Sequence, residues 1–463
     1  MASLTIRNLT LTPLELTRVE RLEGDPVAGP GGLANITSTI SSFFNATATP
    51  AAGVVPRAGA DTVSSEDVTG IVLAPFTSRT TDIRAADPTR EVVRLTFREP
   101  GTEHRYVVDT PAPSQRSVVM TRLDGAPHEF TAIYVPGGAT LAVFSSAALG
   151  SWMATLPDEL SLAALSIPGT HNSPTCHTAL PSVRCQAVGV RAQLEAGVRF
   201  LDVRVSCAPD STDLALVHSA FPISLTGTKW LADLLADVYG FLDESPRETV
   251  LVSLKREGTG RGTDADLARH LHGRYCRPED RWLTAPRVPT LGEARGRLVL
   301  VRRFGLDDGL RGEHGGAGWG IDGSSWPDNC ADGTVGSGLL RVQDFYEVDQ
   351  TTNIEKKIEL ARAHLERAGE AEARRPGPVF INFLSASNFF NASCWPERIA
   401  ARVNPAIIEY LCIRHGEAGK GPAGLPVGDA ATGVVVTDWV GADGDWDLLR
   451  CIVGWNARLQ LGQ

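Results

Sequence analysis

The sequence predicts an α/β protein. Residues 150–463 read as a (β/α)8 TIM-type barrel of irregular form, and residues 1–145 as a smaller all-β, sandwich-like domain before it. Three observations predict this. The first part carries short β-branched runs broken by Pro, Gly and Asp. From about residue 150, strand-like runs alternate with helix-like ones. Those strand runs number about eight, which favours a closed barrel over an open sheet. At 463 residues the chain is long enough for two domains, and a hydrophobic content of 43% can fill a sizeable core.

In the first part the strands are SLTIRNLTL (3–11), EVVRLTF (91–97), HRYVVDT (104–110), RSVVMTRL (116–123), HEFTAIYV (128–135) and TLAVF (140–144). Residues 24–66, rich in Gly, Ala, Ser, Thr and Pro, read as a long loop insertion. Nothing there forms a constellation for chemistry, so the plain reading is a packing or targeting module. In the second part AALSIPG leads to the helix-like AVGVRAQLEAG. VRFLDVRVS, LALVHSAF and the helix-like KWLADLLADVYGFLDES follow. Then come ETVLVSLKRE, the helical DADLARHLHGRY, GRLVLVRRF and LLRVQDFYEV. A helix over about 352–370, PVFINFLSAS, a helix at 397–412 and VVVTDWV complete the series. No GxGxxG opens a helix after the first strand, which disfavours a dinucleotide site.

Composition narrows the partners. A net charge of -10 argues against a nucleic-acid binder, though a local cation cluster for phosphate remains open. No run reaches the length of a membrane span. The N-terminus has no basic start followed by an apolar block. A cytoplasmic or membrane-peripheral monomer is therefore expected, or a secreted one whose leader has been removed. The eight cysteines form no CxxC pair, so a zinc knuckle is unsupported. Cys176 and Cys185 close a short loop that a disulfide would suit only in an oxidising compartment. Sequons at Asn8, Asn35, Asn45 and Asn391 are short enough to arise by chance.

Chemistry in a barrel sits at the C-terminal ends of its strands. There the sequence places His171, then Asp202 with Arg204, His218, Lys255 with Glu257, Arg302-Arg303, Asp344 with Tyr346, and Asp438. Each pair two apart shares one face of its strand. A single strand-end histidine is most often a structural hydrogen-bonder. Seven strands that repeat the pattern are harder to explain so, because buried charges must be paired or serve a site. Two histidines can act as base and acid near neutral pH. An arginine fork suits phosphate oxygens. Asp438 can fix the tautomer of His171. Together these are the parts for cleaving a phosphodiester with an internal hydroxyl.

SIPGTHNS, GVRFLDVRVS, LALVHS, ETVLVSLKRE, LVLVRRF, VQDFY, FINFLSAS and VVVTDWV occur in an order that resembles the X domain of the bacterial-type phosphatidylinositol-specific phospholipase C family. The likeness runs from about Leu156 to the last strand. It implies cleavage of phosphatidylinositol, or a related glycolipid phosphodiester at a membrane surface, to diacylglycerol and an inositol phosphate, often first the cyclic form. It implies His171 as general base, His218 as general acid, Arg204 as phosphate clamp and Asp438 as orienter of the base. Asp202 and Glu257 match acids lining the pocket, and Asp202 would hold Arg204. Lys255, Arg303, Asp344, Tyr346 and Asn172 match the substrate-contacting set. Trp319 or Trp326 would supply an aromatic rim. One departure is Asn172, where metal-independent bacterial members carry an aspartate. Calcium-dependent relatives use such an asparagine with acids matching Asp202 and Glu257, so Ca2+ held by Asn172, Asp202 and Glu257 is the alternative. Arg204 occupies the place of a further acid in those relatives, and the expectation is therefore no cofactor. The competing functional reading is a catalytically weakened module that binds phosphoinositide headgroups or a protein.

Overall fold

The computed structural model describes residues 2–26, 54–56, 62–87, 90–112, 117–145, 148–276, 281–372 and 377–461. The chain divides into two compact units, Met1–Ser146 and Ala147–Gln460.

The first unit holds two sheets. One runs in the order Thr77–Arg84, Ser3–Leu9, Thr140–Ser145, Phe130–Val135 and Ser117–Val119. The other runs Val54–Pro56, Leu14–Pro26, Glu91–Arg98, Arg105–Thr110 and Thr121–Leu123, with Thr62–Leu73 also paired to Leu14–Pro26. Their inner faces share one core, with Leu4, Ile6, Phe130 and Val143 from the first and Leu16, Leu95, Phe97 and Tyr106 from the second. Four strands were not expected from the sequence, the short Val54–Pro56 among them. Leu14–Pro26 alternates apolar with charged residues and its charges hid it. Thr62–Leu73 is exposed at almost every position before Ile71, so it carries no apolar period and is held by its ladder to Leu14–Pro26. Thr77–Arg84 is likewise mostly polar and pairs with Ser3–Leu9. The expected loop over 24–66 is thus partly strand, while 27–53 and 57–61 lie outside the described residues, as do Asn35 and Asn45. The Asn8 sequon is structural. The residue is fully buried and its amide donates to the carbonyls of Thr12 at 2.9 Å and Leu73 at 3.1 Å.

The second unit is mixed α/β. Its strands are β1 (Ile167–Thr170), β2 (Phe200–Ala208), β3 (Ser211–His218), β4 (Val250–Arg256), β5 (Leu298–Arg303), β6 (Ile321–Asp322), β7 (Leu340–Gln343), β8 (Val379–Phe383) and β9 (Val434–Thr437), with three further two-residue strands at Phe221–Pro222, Trp282–Leu283 and Gly333–Thr334. The parallel order is β5-β4-β2-β1-β9-β8-β7, and the two-residue strands Trp282–Leu283 and β6 both pair in parallel with the other edge of β5. Two expectations need correction. LALVHSAF is not a barrel strand, because β3 folds back antiparallel on β2 as a hairpin. Beyond the seven longer parallel strands the sheet continues only as two-residue pieces, β6 among them, and among the described residues no ladder joins β6 to β7.

Strand periodicity sorts the side chains. Leu201, Val203, Val252, Leu254 and Leu300 face outward and pack on the apolar stripe of helix Leu231–Glu244, through Leu231, Leu234, Leu235, Val238 and Phe241. Ile167, Phe200, Leu251, Val299, Val342, Ile381, Phe383 and Val434 face the other way and form a second core. Asp202, Arg204, Lys255, Arg303, Asp344 and Asp438 continue that inward series, two residues apart, past the point where the apolar core stops. Gly169 lets β1 lie close to β2, since a Cβ there would stand 3.1 Å from Phe200 Cβ. At the opposite end Arg199 and Glu248, both fully buried, pair at 2.8 Å, and Arg199 also donates to the carbonyls of Leu194 and Gly150.

Candidate active site

The polar ends of β1, β2, β4, β5, β7 and β8 line one cavity of about 490 Å³ together with His218, and Asp438 at the end of β9 stands behind His171. Its walls include His171, Arg204, His218, Lys255, Glu257 and Arg303, and on the far side Trp326, Asp344, Tyr346 and Phe389.

The chain leaves β1 at His171 and turns sharply, because Asn172 takes a left-handed conformation with φ 41°. Asparagine tolerates that region better than most residues. The turn aims the Asn172 backbone N–H at Asp202 Oδ2, at 3.1 Å, and the Ser173 N–H at the Asp202 carbonyl, at 2.9 Å. His171 itself is pinned by its backbone. Its N–H donates to the Thr437 carbonyl, and the buried Gln186 amide donates to the carbonyls of both His171 and Thr437, at 2.7 and 2.9 Å. His171 Nδ1 lies 2.9 Å from Asp438 Oδ1. That carboxylate can only accept while ionised, so Nδ1 carries the proton and Nε2 is the basic nitrogen. Burial raises the pKa of Asp438, and the neighbouring His171 offsets part of this.

His218 closes the β3 hairpin, followed by Ser219 at φ 52°. Its Nδ1 donates to the Val183 carbonyl at 2.9 Å, an acceptor that cannot give a proton back. The ring of His218 stands edge-on to that of His171, with centroids 5.7 Å apart. Burial, Arg204 and His171 all push its pKa well below the ordinary histidine value.

Arg204 lies between two carboxylates. Its Nε and Nη2 donate to Asp202 Oδ2 at 3.3 and 3.1 Å, and its Nη1 donates to Glu257 Oε1 at 3.1 Å. Lys255 Nζ reaches the same Glu257 oxygen at 2.7 Å, and Glu257 Oε2 accepts from the Ser219 N–H at 2.9 Å. Burial would raise both acids, but the cations win. Arg204 and Arg303 hold Asp202 well below the usual carboxylate range, and Arg204 and Lys255 hold Glu257 at about 2. Arg204 correspondingly stays charged, its pKa raised by the two acids against the cost of burial. Arg303 faces Asp202 at 3.5 Å and Asp344 at 4.0 Å and lies 4.0 Å over the Trp326 ring, whose N–H donates to Asp344 Oδ2. Arg302 points outward to Asp322 and the Trp319 carbonyl. Tyr346 donates its hydroxyl to Asp328, which together with burial lifts its pKa to about 12.

All the sequence-derived site residues therefore meet in one place, with two corrections around them. Trp319 is buried against His272 in the outer core, so of the two tryptophans it is Trp326 that lines the cavity. The calcium alternative finds part of its donor set already engaged. Asp202 Oδ2 and Glu257 Oε1 both accept from Arg204, Glu257 Oε2 accepts from Ser219, and Asn172 Oδ1 and Asp202 Oδ1 are buried without a hydrogen bond. Sequence reading missed Gln186 and the Val183 carbonyl, which carry no motif signal. It also missed the aromatic lip, whose FF pair in SNFFNAS was visible. Phe221 stacks on Phe389 with centroids 5.7 Å apart and planes 3° from parallel, Phe389 meets Phe390, and Phe390 is 94% exposed. Cys176 and Cys185 are free thiols.

The model of the phosphatidylinositol-specific phospholipase C X domain matches residues 160–304. A 1-phosphatidylinositol phosphodiesterase of Staphylococcus aureus is 27% identical over 305 residues, which span 63% of this chain and 88% of that protein. A Listeria monocytogenes protein of the same name is 32% identical over 162 residues, 32% of this chain and 47% of its own. The solved phosphatidylinositol-specific phospholipase C of S. aureus superposes with a TM-score of 0.53 at 24% identity, covering 66% of this chain and 97% of that one, a likeness of fold.

Proposed function

Since the chain belongs to the phosphatidylinositol-specific phospholipase C X-domain family, we propose that it is a phospholipase C-type phosphodiesterase acting on phosphatidylinositol or a closely related inositol lipid. The observation that carries this is the convergence of His171, His218 and Arg204 on one cavity. His171, proton-bearing at Nδ1 toward Asp438, takes the proton of the inositol 2-hydroxyl at Nε2. The freed oxygen attacks phosphorus and the bond to the glycerol oxygen breaks. Arg204 holds the phosphoryl oxygens, where charge grows in the transition state. His218, protonated at Nε2 in the complex, gives that proton to the departing diacylglycerol. The product is a 1,2-cyclic inositol phosphate, which water opens with the two histidines in exchanged roles. Arg303, Lys255, Asp344 and Tyr346 bind the sugar hydroxyls. The parallel strands, with β6 in the eighth place, then form an irregular TIM-type barrel with no ladder between β6 and β7 among the described residues.

The aromatic lip supports a lipid surface as the place of action. An acidic chain gains little from anionic headgroups, so apolar insertion of Phe390 beside Phe389 and Phe221 would supply the adhesion. Phosphorus NMR of phosphatidylinositol vesicles, with and without chelator between pH 5 and 9, tests the proposal. Inositol phosphate formed in the presence of chelator supports it. No inositol phosphate at any of these pH values, even with calcium added, overturns it and leaves a headgroup-binding module.

A further inference from the structure

One side chain beside the two histidines has no part in that chemistry. Cys185 Sγ is fully buried and lies 3.7 Å from His218 Nδ1. His171, Cys185 and His218 each offer one ligand atom, and these atoms lie within 4.8 Å of one another. We propose that this cluster is an inhibitory site for a thiophilic divalent cation, zinc being the fitting case, which shuts the enzyme by taking both histidines at once. The proposal rests on the catalytic reading above only for its inhibitory consequence.

The donor set suits zinc and not calcium. Two imidazoles and one thiolate, with a fourth position open to the cavity, make a tetrahedral site with three protein ligands. Bonds of about 2.0–2.3 Å place tetrahedral ligand atoms about 3.3–3.6 Å apart, so the Cys185–His218 spacing already fits and His171 needs to close by about an ångström. His171 also has the supporting partner that zinc-bound histidines usually have, a carboxylate on its other nitrogen. Asp438 supplies it at 2.9 Å, and its Oδ2 is buried without a hydrogen bond. Cys185 is fixed from behind, its N–H donating to Thr175 Oγ1 at 3.1 Å. Charge does not forbid a cation here. Arg204, Lys255 and Arg303 are outnumbered by Asp202, Glu257, Asp344 and Asp438, and a Cys185 thiolate adds a further negative charge. Binding releases the thiol proton, and His218 exchanges its bond to the Val183 carbonyl for the metal. Hard cations lack this preference, since their oxygen donors at Asp202 and Glu257 are taken by Arg204.

The test uses the full-length protein and the metals alone. Co2+ added under reducing conditions should give a thiolate-to-cobalt charge-transfer band, which Zn2+ displaces and Cys185→Ser abolishes. Zn2+ should inhibit phosphatidylinositol cleavage reversibly, with chelator restoring the rate, whereas Ca2+ and Mg2+ do not inhibit. Cys185→Ser, with Cys185→Ala as a second variant should the first fold poorly, should raise the half-inhibitory Zn2+ concentration relative to its own uninhibited rate. The rise should be on the order of tenfold or more, because losing a ligand costs at least what losing a ligand's partner costs. Absence of the cobalt band overturns the site, as does zinc inhibition that is unchanged in the cysteine variants. A band with no lipid cleavage by the unmodified protein keeps the metal site and refutes the catalytic reading instead.

Discussion

Arg204→Ala separates a phosphate clamp from a mere charge balancer. In the structure its guanidinium donates to two buried carboxylates, Asp202 and Glu257. Removing one partner of a buried ion pair costs about 3–5 kcal/mol. Here each acid keeps a second cation, Asp202 with Arg303 at 3.5 Å and Glu257 with Lys255 at 2.7 Å. The stability loss therefore belongs at the low end, about 3 kcal/mol, which for a unit of this size lowers Tm by about 4–5 °C. The catalytic loss is separate. Taking away one preorganised donor at the developing charge costs about 10²- to 10³-fold in rate. Arg204→Lys should recover part of the stability, since one ammonium can still meet one carboxylate, but little of the rate, since it cannot present a planar fork. Initial rates on phosphatidylinositol vesicles and thermal melts of the same preparations decide the matter. A fall of less than about tenfold in kcat/KM with the expected drop in Tm would refute the clamp. Rescue of Arg204→Ala by calcium would show that the arginine stands where a metal could act.

Asp438→Asn should lower kcat on the order of 10³-fold while Tm holds or rises, because burial already makes its charge costly; a pH–rate profile checks whether the acidic limb, which the base sets, has moved. Phe390→Ser should weaken partition onto neutral vesicles about tenfold, the loss of roughly one inserted ring, while hydrolysis of a water-soluble inositol phosphodiester is retained; sedimentation with vesicles reads the first and a soluble-substrate assay the second. Stability should fall as pH drops below about 6.5. His364 is fully buried with its pKa lowered to about 3, and His218 is shifted in the same direction. Between the lowered folded values and the ordinary unfolded one, the unfolded chain binds more protons, so each such histidine removes about 1.4 kcal/mol per pH unit. Urea midpoints from pH 7 to 5 should show the slope, and His364→Gln should flatten it.

The inward series was legible because strand periodicity is two. Asp202 and Arg204, or Lys255 and Glu257, cannot lie on opposite faces, and their motifs carry the family likeness. What sequence could not give was the role of β3. LALVHSAF has the composition of a barrel strand, and only its ladder to β2 shows that it turns back. Nor could it give the anchors of the histidines. The Val183 carbonyl has no side-chain signature, and a glutamine such as Gln186 looks like any loop glutamine until its two acceptors are seen. Arg204 was expected to lean on Asp202. Its second partner, Glu257, comes from another strand, and register across β2 and β4 decides that meeting. In the first unit the missed strands fail the apolar period because one face, or nearly all of both, is wet.

The two histidines are anchored in unlike ways, and the difference sets when each is ready. His171 is tied to a carboxylate, so it is poised as a base before anything binds. His218 is tied to a peptide carbonyl and faces Arg204, and burial, Arg204 and His171 outweigh what the Val183 carbonyl and Glu257 offer a second proton. The negative phosphodiester is the missing counter-charge. Its arrival spreads the positive charge of Arg204 onto the ligand and makes a protonated His218 affordable. The proton that ends the reaction is thus recruited by the substrate, and the basic limb of the kcat profile, which the acid sets, should shift with the charge of the bound phosphate.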